Sequence, residues 1–152
     1  MKDQDVYQVI MNDERFTILA DILKISGIGE VLANESGVFT FFAPTDTALR
    51  TLPSAVLDLL RSSHGNRLAA TTLGRYIVPG LYLYSDDLRQ LTTVEPLSGR
   101  TVKINTHNNA LRFGRSPIRT PGIAARNGVV FPIDGISIKH DGRVGGTRSS
   151  GR

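Results

Sequence analysis

Side chains able to do chemistry are few and scattered in this chain of 152 residues. Its histidines, His64, His107 and His140, have no spacing that puts two on one face of a helix or strand. A zinc site closes with about four nitrogen, sulfur or oxygen ligands, and with no cysteine in the chain it would have to draw on distant carboxylates. Histidines of loops and tail are the simpler reading, so neither a metal nor a cofactor is expected. A serine nucleophile needs a base and a strained turn to present it, and no Gly-x-Ser-x-Gly elbow occurs. Asp86 and Asp87 are a carboxylate pair in sequence, but neighbours on a helical turn point apart, and capping or solvent contact accounts for them. Gly27-Ile28-Gly29 follows a helical pattern and lacks the third glycine of a dinucleotide loop. No catalytic residue is expected, and the chain reads as a protein that is not an enzyme.

Binding chemistry has more to draw on. Arg100, Lys103, Arg112, Arg115, Arg119 and Arg126 all fall between Glu95 and Asp134, across 38 residues without an acid. They alternate with apolar residues, so on strands several share one solvent face. Arginine forks suit carboxylate, sulfate and phosphate groups; a merely solvated sheet face is the competing reading. Tyr76, Tyr82, Tyr84 and Phe131 are the aromatic candidates. A tyrosine with a buried ring and a solvent-facing hydroxyl can serve a binding surface, against the plainer reading that these rings pack the sheet and helices together. Asn34-Glu35-Ser36 matches the N-glycosylation pattern, which matters only for an exported eukaryotic chain.

The elements that position these residues are organised around Gly37–Leu52, GVFTFFAPTDTALRTL. Val38 to Ala43 reads as a strand buried on both faces. Pro44 is expected to stop its pairing, and Thr45 and Asp46 to supply oxygens to the amides of the turn that follows. Before it, Val6, Val9 and Ile10 predict a short helix. Phe16, Leu19, Ala20, Ile22 and Leu23 predict a second, closed by Gly27 as its C-cap, and Ile28, Val31 and Leu32 one further turn. After it, Pro53 suits the first position of a helix with Val56, Leu59 and Leu60 on its apolar face. Leu68, Ala69, Thr72 and Leu73 continue helically to Gly74. Tyr76 to Val78 is β-prone, Pro79-Gly80 a turn, and Ser85 a cap for a helical turn reaching Leu91. From Thr92 the period falls towards two, in TTVEPL, RTVKINT, NALRFG and GVVFPIDGISI, which predicts short antiparallel strands, with Asn108-Asn109 a candidate hairpin turn. Helices first and strands later predict an α+β architecture: one domain over residues 1–139, and a flexible tail over 140–152 with little aliphatic content. The predicted core is Val38, Phe39, Phe41, Phe42, Leu49, Ile77, Val78, Val129, Val130 and Ile133.

Charge is uneven. Residues 1–60 carry a net −5 and residues 61–152 a net +9, for +4 in the whole chain. No apolar run approaches the roughly 18 residues of a membrane span, and MKDQDVYQVI lacks the apolar region of a signal peptide. If Met1 is the native start the protein is cytoplasmic; if a leader has been removed it is exported.

FTFFAPTDTALRTL closely resembles the opening signature of fasciclin-like domains. RYIVPG, Arg75 to Gly80, is similar to the family's central segment, and NGVVFPIDGISI, Asn127 to Ile138, to its closing strand pair. The three stand in order and at the right distances, and the resemblance covers roughly Val6 to Ile138. The resemblance implies a β-wedge or sandwich of short strands with a packed layer of helices. It also implies an exported, non-enzymatic adhesion module, extracellular, periplasmic or at the cell surface. Its partner would be a cell-surface or matrix protein or an acidic polysaccharide, with membranes met only indirectly. Thr45 and Asp46 match the family's Thr-Asp pair, Pro79 and Gly80 the central turn, and Asn127, Gly128 and Asp134 the closing pair, all with structural roles. The chain departs from the family where a Tyr-His pair usually stands, holding Arg75 and Tyr76, and where a closing-strand histidine is Phe131, followed by Pro132. Gly122-Ile123 replaces an Asp-Ile element, so an integrin-type contact is not carried over. Small-ligand binding or an enzymatic role in a cleft near Tyr76 and Phe131 is the alternative. Specific nucleic-acid binding is not expected, because no reader motif accompanies the basic charge.

Overall fold

The unbroken apolar run Phe39–Pro44 becomes β1, and every residue of it is buried. The computed structural model describes residues 4–33, 37–80, 83–97, 101–107, 110–114, 116–120 and 122–136. Asn34, Tyr82, Arg100, Arg115, the Asn108-Asn109 turn and the tail from His140 lie outside them.

Ahead of β1 come α1 (Val6–Met11), α2 (Thr17–Ser26) and α3 (Ile28–Leu32), as the apolar spacing predicts. Asp5 and Gln8 close a reciprocal capping box on α1. Gly27 ends α2 at φ 81°, a left-handed conformation that glycine adopts without a Cβ penalty. After β1 follow α4 (Asp46–Leu49), α5 (Ser54–Leu60), α6 (Asn66–Gly74), β2 (Ile77–Pro79) and α7 (Ser85–Gln90). The remaining strands are β3 (Thr93–Val94), β4 (Val102–His107), β5 (Ala110–Phe113), β6 (Ser116–Pro117), β7 (Ile123–Ala125) and β8 (Gly128–Ile133).

Two four-stranded sheets result, ordered β2-β1-β8-β7 and β3-β4-β5-β6. Helices α1, α4 and α6 pack against strands of the first sheet. Between the sheets, Phe42 of β1 stacks on Phe113 of β5 with ring centroids 4.4 Å apart. The architecture is the α+β wedge expected, with nine of the ten predicted core residues buried. Among the described residues no helix is long and apolar enough to cross a membrane.

Several local expectations are corrected. The closing segment is not simply antiparallel: β8 runs antiparallel to β7 but parallel to β1, from Phe39↔Gly128 to Pro44↔Ile133. Pro44 therefore does not stop the pairing. Thr45 N donates to Ile133 O at 3.0 Å, and Phe42 N donates to Tyr76 O on the opposite side at 2.8 Å. Alternation along the strand puts the missing Pro44 N–H on the β2 side, where β2 has already ended its pairing at Phe41↔Ile77. Val38 is half-buried, one residue ahead of the strand. Pro53 is the N-cap of α5, and Leu59 is 41% exposed because that helix buries Leu60 and half-buries Val56 and Leu57. Ser85 opens α7 rather than capping it; the cap position is Tyr84, whose N–H donates to the Asp87 carboxylate at 2.8 Å.

Candidate interaction site

The signature residues tie distant parts of the chain together. Thr45 caps α4 by accepting from Ala48 N, and its hydroxyl donates to Asp134 Oδ1 at 3.0 Å, joining the ends of β1 and β8. Asp46 reaches further than its own turn. Its carboxylate accepts from Thr17 Oγ1 at 2.5 Å and from Ile18 N at 2.8 Å, capping α2, whose own N-cap position, Phe16, makes no side-chain cap bond. Asn127 is buried; its Oδ1 accepts from Val6 N at 2.8 Å and its Nδ2 donates to Leu32 O at 2.7 Å, holding the start of α1 and the end of α3 to the β7–β8 turn. Gly128 sits so close to β1 that a Cβ there would lie 1.9 Å from Phe39 O. Gly80 turns the chain after Pro79 at φ 81°.

The described basic residues do not form one continuous face. Lys103 on β4 and Arg112 on β5 are exposed on the same face of the second sheet, since Asn105, two residues from Lys103, pairs directly with Arg112. Arg119 lies beyond β6, where the chain crosses to the first sheet, and its Nε is 2.8 Å from Asp134 Oδ2. Arg126, in the β7–β8 turn, is 3.6 Å from Asp5 Oδ2. Both sit outside the alternating strands β4 and β5, each against a carboxylate.

A cavity of about 710 Å³ opens beside the second sheet, lined among others by Arg75, Tyr76, Val102, Lys103, Phe113 and Ile136. Tyr76 is 5% exposed and its ring lies 5.4 Å from that of Phe113. Phe131 does not line this space: it is fully buried, 5.7 Å from Phe42 at the far end of the same aromatic row. The cleft expected near Tyr76 and Phe131 thus runs from Tyr76 towards Phe113. Arg75, which ends α6, carries a buried Nε–H with no hydrogen-bond partner among the described residues. Its place in the cavity was not predicted; the sequence signal was its position directly before Tyr76, where the family pattern changes.

A more open depression of about 430 Å³ lies along Asp13, Glu14, Arg15 and Ile123. There the hydrogen bond from the Arg15 guanidinium holds the Asp13 carboxyl below its ordinary value. Among the described residues no group of three or more histidines or carboxylates is placed to hold a metal; His64 is exposed on a short turn.

Comparison with known proteins agrees with this geometry. The chain is 30% identical over 131 residues to the transforming growth factor-beta-induced protein ig-h3 of Oryctolagus cuniculus, covering 86% of this chain and 19% of that protein. It therefore spans a small part of that relative's length. It is 29% identical over 132 residues to protein sll1735 of Synechocystis sp., covering 87% of this chain and 96% of that one. Among solved structures, a FAS1 domain pair from the insect cell adhesion molecule Fasciclin I superposes with a TM-score of 0.81 at 14% identity, covering 92% of this chain and 52% of that chain. A family model described as the fasciclin domain matches residues 14–138, a span that takes in β1, the buried Asn127 and the β1–β8 ladder, and the chain belongs to the fasciclin domain family.

Proposed function

We propose that this domain is a non-enzymatic interaction module of the adhesion type, working outside the cytoplasm, and that it meets its partner through the outer face of the second sheet. Family membership supports the class, together with a fold shared with a cell adhesion molecule. Fold alone does not carry function, so the reading rests on one observation: Lys103 and Arg112 are exposed on one sheet face, and strands β4, β5 and β6 contain no acid. Such a face suits an acidic polysaccharide or an acidic patch on a cell-surface or matrix protein.

Exposed ion pairs contribute about 0–1 kcal/mol each, so the face sets encounter and orientation, and apolar contacts nearby must add specificity. Its attraction is salt-dependent, because the Debye length is about 8 Å at physiological ionic strength and about 3 Å at 1 M. The test is a glycan array and a sulfated-glycan column, run at low and high salt with the parent and with Lys103→Glu/Arg112→Glu. The double variant should lose about tenfold in affinity, or about 1.4 kcal/mol, at low salt and little at high salt. Equal retention of both proteins at both salt concentrations would mean that the face is only solvated.

A further inference from the structure

We propose that the cavity beside the second sheet binds a small amphipathic anion, with its oxyacid head on Arg75 and its apolar body along Tyr76, Val102, Phe113 and Ile136. This goes beyond the reading of the outer sheet face and uses different contacts, apart from Lys103 at the rim.

The charge of the lining sets the sign of the ligand. Arg75 and Lys103 both line the cavity, and among the described residues no aspartate or glutamate does. The polar neighbours are largely committed: Ser116 Oγ donates to Gly135 O at 2.9 Å, and Asn105 Nδ2 donates to Gly114 O at 3.1 Å. The Arg75 Nε–H, by contrast, is buried and donates to nothing among the described residues. Buried donors are nearly always satisfied in folded proteins, and leaving one beside a formal charge is costly. An oxyacid on the guanidinium fork, where two of its oxygens match, offsets the charge of a group whose Nε–H is closed off from water.

The remaining walls set the rest of the molecule. Tyr76 and Phe113 present rings 5.4 Å apart, and Val102 and Ile136 add aliphatic surface. Sites for small molecules are mostly apolar, with a few placed polar groups, and fall at roughly 300–1,000 Å³; this one measures about 710 Å³. A carboxylate or a phosphate monoester on an aliphatic or aromatic body fits both halves of the lining.

Decanoate and decyl phosphate, each below its micelle concentration, and decanol, below its solubility limit, serve as probes in titration calorimetry and amide chemical-shift mapping. At least one of the two anions should bind ten or more times tighter than decanol and shift the amides of Arg75, Lys103 and Gly114; the tighter one identifies the head group. Arg75→Gln should bring that anion down to the level of decanol. Arg112→Glu should leave it within twofold of the parent, which separates this site from the outer sheet face, so either reading can fail without the other. The proposal is overturned if neither anion binds up to about 1 mM, a concentration matching only about −4 kcal/mol, or if anions and decanol bind alike. It is equally overturned if Arg75→Gln binds as the parent does. Should Arg75→Gln not fold, Arg75→Lys keeps the charge and removes the fork; anion affinity equal to the parent would then overturn the assignment to the guanidinium.

Discussion

Replacing Asp46 by alanine should destabilise the domain through a helix that Asp46 does not belong to. The side chain is 12% exposed and accepts two hydrogen bonds at the start of α2, from Thr17 Oγ1 and from the buried Ile18 N–H. A bond to an ionised acceptor contributes about 1.5–3 kcal/mol, and a buried donor left unmet costs about 1–3 kcal/mol. A carboxylate at a helix N-terminus adds about 0.3–1 kcal/mol. Because Thr17 can turn its hydroxyl elsewhere, the Ile18 amide dominates, and the expected loss is about 2–4 kcal/mol. In a domain of this size each kcal/mol moves Tm by roughly 2–4 °C, so a mid-range loss appears as a fall of roughly 6–12 °C. Asp46→Asn keeps an acceptor for Ile18 and should lose about 1 kcal/mol. Arg50, 3.9 Å from the carboxylate and 67% exposed, is the control: Arg50→Ala should stay within about 0.5 kcal/mol of the parent. The assay is urea unfolding of all three variants, with Thr17→Val and the Thr17→Val/Asp46→Ala double variant to measure the coupling. A loss below about 0.5 kcal/mol for Asp46→Ala, in the range of surface substitutions, would refute the remote cap. So would strict additivity with Thr17→Val, because bonded neighbours couple by about 0.5–3 kcal/mol.

Three further perturbations follow from the same geometry. Asn127→Ala leaves Val6 N and Leu32 O without their side-chain partner and should cost about 2–4 kcal/mol; hydrogen exchange should show lost protection in α1 before β1, and uniform protection would contradict the tie. Gly128→Ala drives a methyl against the Phe39 backbone and should cost above about 3 kcal/mol, at the upper end of overpacking, whereas a melting temperature within a few degrees of the parent would show that β1 and β8 can part. Asp13 has its carboxyl held below its ordinary 3.8, first by the side-chain hydrogen bond from Arg15. A depressed native value stabilises the fold above that ordinary range and the effect is lost as pH falls through the native value. Asp13→Asn should therefore melt below the parent at about pH 6 and match it near pH 2; a gap that persists in acid would assign the effect to something other than ionisation.

What the sequence made legible depends on whether the partner of a residue is near it in the chain. β1 could be read because burial on both faces leaves a continuous apolar run, and α1 to α3 because each repeats apolar residues along one stripe. The strands Ser116–Pro117 and Ile123–Ala125 were missed, being two and three residues long, too short for alternation to register. The site divides along the same line. Alternation on β4 and β5 fixes which face Lys103 and Arg112 each take, but that the two faces coincide comes from the pairing Asn105↔Arg112. Arg119 and Arg126 also lie in the acid-free segment, yet they meet Asp134 and Asp5, one just past that segment and the other at the opposite end of the chain.

Asp46 and Arg75 carry the argument one step further. Periodicity tells which side of an element a residue occupies, and a resemblance tells which motif it stands in; neither tells what packs across from it. Asp46 stands in a turn, where an acidic residue reads as a local cap, and its acceptor role is fixed by α2 lying 28 residues upstream. Arg75 reads as one more base at a helix end, where the helix dipole favours a cation. It becomes a candidate anion contact only because residues that follow it in the chain line one cavity with it, and so bring Lys103 near a guanidinium whose Nε–H is buried without a partner among the described residues.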